Sequence, residues 1–251
     1  MVKAIVFSDF DGTITLEDSN DTLSDNFGIS KEQRLELFKE LVNSPGSFRD
    51  SFQTMMDNIN LPIDQCVDYL VERINLDPGF KTCLEYCNQN DICVVIISSG
   101  MRPIIQALLR HLLGNEEADK LTIVCNETEI LDEKTGKSTI KYKNPDSIHG
   151  HDKSISIDEL KQATELSGYK VDQVKEKPIY FYCGDGVSDV SAAAKCDLLF
   201  AREGKDLITF CEKGDIPYHK FQSWKDILKG IKEVLENGKD VKDLMQNHKH
   251  K

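Results

Sequence analysis

Short apolar, β-branched runs alternate along this chain with stretches whose apolar positions recur every three or four residues. The runs at 2–8, 93–97, 121–125, 178–183 and 198–201 predict strands. Between them, Phe80–Gln89 and residues 103–113, 153–166, 187–194 and 224–236 predict helices. Strands that are apolar throughout bury both faces. The alternation therefore predicts an α/β fold, a mostly parallel sheet with helices on both faces and right-handed crossovers.

One stretch breaks this rhythm. Residues 19–74 carry no strand pattern, only helical periodicity at 31–42, 47–59 and 63–74, with Pro45-Gly46 and Leu61-Pro62 as turns. Asp77-Pro78-Gly79 reads as an N-cap with proline at the first helical position, which restarts the alternation. The division expected is a core of residues 1–15 and 76–251 with a small helical insertion, 16–75, after the first strand. Residues 126–142, with Thr135-Gly136 between alternating runs, predict a β-hairpin arm. The polar segment after Asn237 is expected to fray.

Composition narrows the class. The 251 residues are 39% hydrophobic and 29% charged, as in a folded globular protein, and fit one large domain or a core with an insertion. A net charge of -12 argues against a nucleic-acid partner, whose affinity would come from Lys and Arg on phosphates. No apolar run reaches membrane-spanning length, and the N-terminus enters a strand at once without a signal-peptide pattern. The eight cysteines are scattered, several inside apolar runs, which fits reduced thiols of a cytoplasmic or nuclear protein. Cys83 and Cys87 stand one helical turn apart, but no second ligand pair accompanies them, so no zinc site is expected.

Four segments carry candidate chemistry, and each has a bland reading. Asp9-Phe10-Asp11-Gly12-Thr13 follows the first strand, where open parallel sheets bind ligands. Its two carboxylates could share a metal and divide attack from proton transfer; alone, Asp-x-Asp-Gly is hardly better than an acidic turn. Gly184-Asp185-Gly186-Val187-Ser188-Asp189 also follows a strand and spaces two carboxylates by one helical turn, although Asp at a helix start needs no metal. Two acidic strand ends in one sheet together favour a hard-oxygen Mg2+ site. Ser98-Ser99-Gly100, between a strand and a helix, offers hydroxyls and N–H groups to an anion, or is an ordinary capped turn. Lys153 opens a helix, where a cation opposes the dipole; a phosphate and an aspartate cluster would explain it, and a solvated lysine is the bland reading. His149 and His151 flank it without the further ligands zinc needs. Gly136-Lys137-Ser138 lacks the first glycine of a phosphate loop, since Leu131 stands there. Asn20-Asp21-Thr22 and Asn126-Glu127-Thr128 are sequons without a secretory signal.

Taken in chain order, "DFDGTIT", "SSG", Lys153 and "GDGVSD" resemble the four-motif signature of the haloacid dehalogenase superfamily, its phosphatases in particular. The resemblance extends from Val2 to about Leu235. The helical insertion is similar to the C1-type cap of phosphoserine phosphatases. That branch includes phosphatases of methionine salvage and fungal phosphatases of sugar or polyol phosphates. The resemblance implies a Rossmann-like α/β core and a Mg2+-dependent phosphatase working through an aspartyl-phosphate. It implies Asp9 as nucleophile and metal ligand, and Asp11 as general acid and then base, its carbonyl also reaching the metal. Ser98 and Lys153, helped by Ser99 and Gly100, would hold the phosphate. Asp185 would complete the metal site, with Asp189 as a direct or outer partner.

The resemblance thins at the substrate. Phosphoserine phosphatases read the amine with an acidic residue after the first motif and the carboxylate with a cap arginine; Asp18 and Arg49 stand nearest those places. Asp18, Asn20 and Asp21 suit hydroxyls as well as an amine, which favours a sugar or polyol phosphate. The alternatives are a phosphoserine phosphatase, a methionine-salvage phosphatase, a phosphotransferase and a non-catalytic regulator that keeps the fold. The expected partner is a small phosphorylated metabolite, with neither nucleic acid nor membrane, and oligomeric state is not legible.

Overall fold

A computed structural model describes residues 2–43, 47–172 and 177–245. In chain order the elements are β1 (Ala4–Ser8), α1 (Ser19–Phe27), α2 (Lys31–Asn43), α3 (Phe48–Asp57), α4 (Ile63–Val71), α5 (Phe80–Gln89) and β2 (Ile92–Met101). Next come α6 (Arg102–Leu113), α7 (Asn115–Ala118), β3 (Thr122–Asp132), β4 (Lys137–Lys141), α8 (Lys153–Leu160), β5 (Glu165–Leu166), β6 (Tyr169–Lys170) and β7 (Ile179–Gly184). A 3-10 turn, Val187–Asp189, leads to α9 (Val190–Ala193), β8 (Leu198–Arg202), α10 (Asp206–Lys213), β9 (His219–Phe221), α11 (Trp224–Leu235) and α12 (Val241–Leu244). None of the described helices is long and apolar enough to cross a membrane.

Seven strands form one sheet in the order β4-β3-β2-β1-β7-β8-β9, parallel except where β4 turns back on β3. Alternation along each strand assigns its side chains to two cores. Ala4, Val6, Val94, Ile96, Phe181 and Phe200 meet α5, α6 and α11 on one face. Ile5, Phe7, Val95, Ile97, Tyr182 and Leu199 meet α8, α9 and α10 on the other. Each valine, leucine, isoleucine or phenylalanine among them contributes about 1.5–3 kcal/mol by leaving water, which is why the strand runs read as continuously apolar. Crossovers on both faces leave the carboxyl ends of β1, β2 and β7 side by side, since Ser8 pairs with both Ile96 and Cys183.

Between β1 and α5 the described residues form only the helices α1 to α4. The two passages of chain into this helical module lie together, with Thr15 bridged to Leu76 and Leu16 N–H donating to the Asn75 carbonyl at 2.9 Å. The Pro45-Gly46 turn lies outside the described residues.

Several elements differ from the sequence pattern. The helix expected over 153–166 ends at Leu160, because Glu165–Leu166 pairs with Tyr169–Lys170 and Ser167 is tied to the sheet. Ser167 N–H donates to Thr122 Oγ1 at 2.7 Å, and Thr122 N–H donates to Ser167 Oγ at 2.9 Å. Asp77 does not cap α5, whose N-cap is Gly79. Its buried carboxylate accepts instead from Gly79 N–H, Trp224 N–H and Arg202 Nη2, joining β8 and α11 to the module's exit. The segment after Asn237 does not fray at once: α12 follows, His219 Nδ1 meets the Leu244 carbonyl at 2.8 Å, and Val241 and Leu244 pack on the core. Helix α1 escaped the pattern because its nine residues, SNDTLSDNF, are mostly polar.

Candidate active site

The carboxyl ends of β1, β2 and β7 open into a cleft of about 530 Å³, roofed by α2 and α3. Asp9, Asp11, Asp18, Ser98, Ser99, Gly100 and Asp185 line it. Asp9 N–H donates to the Cys183 carbonyl at 2.9 Å, extending the β1–β7 ladder by one bond and fixing the carboxylate at the cleft floor. Three residues on, Gly12 turns the chain at φ +69°, and a Cβ there would stand 2.2 Å from Asp185 Oδ2. Only glycine allows this conformation and approach together.

Lys153 is buried at the start of α8, its Nζ 3.0 Å from Asp9 Oδ1 and 2.6 Å from Asp189 Oδ1. This resolves the misplaced cation: two carboxylates on neighbouring strand ends outweigh the helix dipole, worth about 1 kcal/mol. Asp189 has no oxygen to spare. Its Oδ1 also accepts from the Tyr182 hydroxyl at 2.5 Å, and its Oδ2 accepts from the N–H groups of Asp185 and Gly186, each at 2.9 Å. It shapes the loop that presents Asp185.

Burial without enough countercharge sets the protonation of the others. Asp9 is pushed well above the usual carboxylate range by desolvation and by Asp189, against the pull of Lys153. Desolvation and the nearby Asp18 carboxylate raise Asp11 to about 8. Asp185 rises to about 7, chiefly by desolvation and Asp189, with Lys205 opposing from 3.4 Å. Asp11 is oriented by α1, accepting from Ser19 N–H at 2.7 Å and Asn20 Nδ2 at 3.1 Å. Asp11 thus keeps its proton near neutrality, while the Lys153 ammonium opposes the rise at Asp9 and favours its charged form; an acid beside a lysine-paired carboxylate is a pairing suited to group transfer.

Residues 6–194 match the haloacid dehalogenase-like hydrolase family. The chain belongs to that family. It is 49% identical to a polyol phosphate phosphatase of Saccharomyces cerevisiae, over 98% of this chain and 100% of the relative. It is 42% identical to Pdp3-interacting factor 1 of Schizosaccharomyces pombe, over 92% of this chain and 95% of that one. Among solved structures, a substrate-bound phosphoserine phosphatase aligns with a TM-score of 0.66 at 19% identity, covering 91% of this chain and 98% of the other. That likeness concerns the fold.

In this hydrolase the pattern reading picked out most of the cleft floor and little of the wall. Ser98 Oγ accepts from Gly100 N–H at 3.0 Å within the irregular carboxyl end of β2, where its register with β3 shifts between Ile97 and Met101. Arg49, which stands nearest the place of the cap arginine that reads a carboxylate in phosphoserine phosphatases, does not line the cleft: its guanidinium bonds the Pro145 carbonyl and Asp50. The cleft arginine is Arg34, held by Asp21 at 2.6 Å and by both oxygens of Asp25 at 2.7 and 2.9 Å. No motif marks Arg34, since α2 is polar along most of its length. His151, weighed only as a zinc ligand beside Lys153, has a different part. Its Nδ1–H donates to the Ser98 carbonyl at 2.7 Å, so its Nε2 accepts from the Ser156 hydroxyl at 2.8 Å.

Proposed function

We propose that this hydrolase removes the phosphoryl group from a small neutral polyol or sugar phosphate through an aspartyl-phosphate on Asp9. The observation that carries the reading is that Asp9 and Asp11 line one cleft floor, with Asp9 paired from behind by the buried Lys153 and Asp11 held by Ser19 and Asn20. Asp9 Oδ1 is committed to Phe10 N–H and Lys153, which leaves the other oxygen for attack. The P–O bond to Asp9 forms as the ester P–O bond breaks. Asp11 delivers its proton to the departing alkoxide, then takes one from the water that hydrolyses the aspartyl-phosphate. Ser98, Ser99 and Gly100 cradle the phosphoryl oxygens, and Lys153 screens their charge from the attacking carboxylate.

The donor set fits Mg2+. One oxygen from each of Asp9, Asp185 and Asp189 lies within 4.8 Å of the others, and these hard donors carry more negative charge than Lys153 offsets. Asp9 and Asp185 would hold the ion, with Asp189 behind them. When bound, it would neutralise phosphoryl charge at the point of attack.

The substrate reading rests on the wall. Residues 16–75 act as a cap in which Asp18, at the N-cap of α1, and Asn20 and Asp21 on α1 face the cleft, and whose α2 and α3 present Phe38, Phe48, Phe52 and Met55. Phe48 and Phe52 stack at 5.5 Å and offer a flat apolar face to carbon chains. Arg34 is already engaged by two carboxylates, so a phosphoserine carboxylate would face Asp18 and Asp21 instead. Hydroxyl groups suit those acceptors.

A phosphate-release assay across polyol phosphates, sugar phosphates and phosphoserine, with and without Mg2+, tests the reading. Mg2+-dependent turnover favouring the neutral polyol or sugar esters is expected, and Asp9→Asn abolishes it while the protein stays folded. Preference for phosphoserine would overturn the substrate class; undiminished Asp9→Asn activity would overturn the mechanism.

A further inference from the structure

Asn126 lies on β3, outside the cleft lining, and is 1% exposed. Both polar atoms of its side chain bond backbone groups. Nδ2 donates to the Ser99 carbonyl at 2.8 Å, and Oδ1 accepts from Lys143 N–H at 2.9 Å. One amide thus joins the carboxyl end of β2 to the segment 142–150 that runs from β4 toward α8.

That segment is clasped by the helical module. Tyr142 hydroxyl donates to the Arg49 carbonyl at 2.9 Å, Arg49 N–H donates to the Ile148 carbonyl at 2.9 Å, and the Arg49 guanidinium bonds the Pro145 carbonyl. The segment is also braced internally. Asn144 N–H donates to the Gly150 carbonyl at 2.8 Å, and Asp152 N–H donates to Asn144 Oδ1 at 3.0 Å. Gly150 lies over the Tyr142 ring at φ +68°, where a Cβ would come within 2.4 Å of the ring. One residue later His151 grips the Ser98 carbonyl, and two further on Lys153 enters the site.

We propose that residues 142–150 form a strap through which docking of the helical module sets the phosphate cradle, with Asn126 as its joint and a positioning residue for the reaction. The carbonyls of Ser98 and Ser99 are held from behind by His151 and Asn126. The carboxyl end of β2 is thereby held in place where Ser98, Ser99 and Gly100 line the cleft. Arg49 belongs to this strap, and its place on α3 has a use that does not involve touching substrate. The inference rests on the reading of Ser98 to Gly100 as the phosphate cradle.

The test compares inhibition by orthovanadate, a phosphoryl mimic, with KM, the half-activating Mg2+ concentration and thermal unfolding. Asn126→Asp keeps the acceptor for Lys143 and sets an oxygen against the Ser99 carbonyl. It is expected to weaken vanadate inhibition and raise KM by about tenfold or more, leaving the Mg2+ requirement within twofold. Tyr142→Phe, which removes only the hydroxyl clasping Arg49, is expected to move the same two constants in the same direction by roughly two- to fivefold. Vanadate inhibition within twofold of wild type in Asn126→Asp would overturn the strap, as would a Mg2+ requirement shifting in step with it. Should Asn126→Asp not fold, unchanged vanadate inhibition in Tyr142→Phe overturns it alone. Ser98→Ala separates the layers: if it too leaves vanadate inhibition unchanged, the cradle reading falls and the strap with it.

Discussion

The ammonium of Lys153 rests 2.6 Å from Asp189 Oδ1, with both side chains fully buried. Breaking a buried pair leaves the partner's charge without compensation, at a cost of about 3–5 kcal/mol. Here two partners lose it at once, since Asp9 shares the same ammonium at 3.0 Å. Lys153→Met should therefore lower unfolding free energy in urea by about 3–5 kcal/mol and turnover by about a hundredfold or more. Adding Asp189→Asn should restore part of the stability and none of the activity, because one orphaned charge is gone while the phosphate still lacks its cation. Additive stability losses in the double variant would refute the pairing.

That lysine also shows what the sequence could express. A cation at a helix start is a local misfit, and misfits are readable without coordinates; so were two acidic turns at strand ends, because β-branched runs announce their own termini. The wall of the cleft is different. Arg34 sits on a polar-rich helix with a weak apolar stripe, and although α3 has a clear one through Phe52, Met55 and Met56, nothing in the residue order says which of the two arginines turns toward the cleft. Asp189 looks like a ligand by spacing, yet its oxygens are taken by Tyr182, Lys153 and two N–H groups that only the fold brings together. Asn126 appeared only within a sequon, whereas its buried amide joins two segments by long-range contacts.

His151 gives the fold an acid limit. It is fully buried, and desolvation, reinforced by the Lys153 charge and only partly offset by its bond to the Ser98 carbonyl, lowers it from 6.5 to about 4. The unfolded chain binds a proton near pH 6.5, whereas the folded chain resists until about pH 4. Stability from this residue is therefore complete above pH 6.5 and is lost as pH falls from 6.5 toward 4, amounting to about 3 kcal/mol. Urea unfolding from pH 7 to pH 4 should show that one-proton slope, and His151→Gln should reduce it by the same slope. An equal slope in wild type and variant would assign the proton uptake elsewhere.

Asp11 sets a limit at the other end, and the leaving group reveals it. Desolvation first, and the Asp18 carboxylate second, raise Asp11 from 3.8 to about 8, so it holds its proton at neutral pH. An alkoxide leaving a polyol phosphate needs that proton; a nitrophenolate leaving an aryl phosphate does not. For alkyl esters kcat/KM should fall by about tenfold per unit above pH 8, whereas aryl esters should keep a flatter profile there. Asp11→Asn should cut alkyl-ester turnover by about a hundredfold or more. With an aryl ester it should release about one equivalent of phenolate and then stall, because no base remains to activate water against the aspartyl-phosphate. Rapid-quench kinetics read both steps. Steady aryl-ester turnover without a burst would remove Asp11 from the second step, and identical alkaline limbs for the two ester classes would remove it from the first.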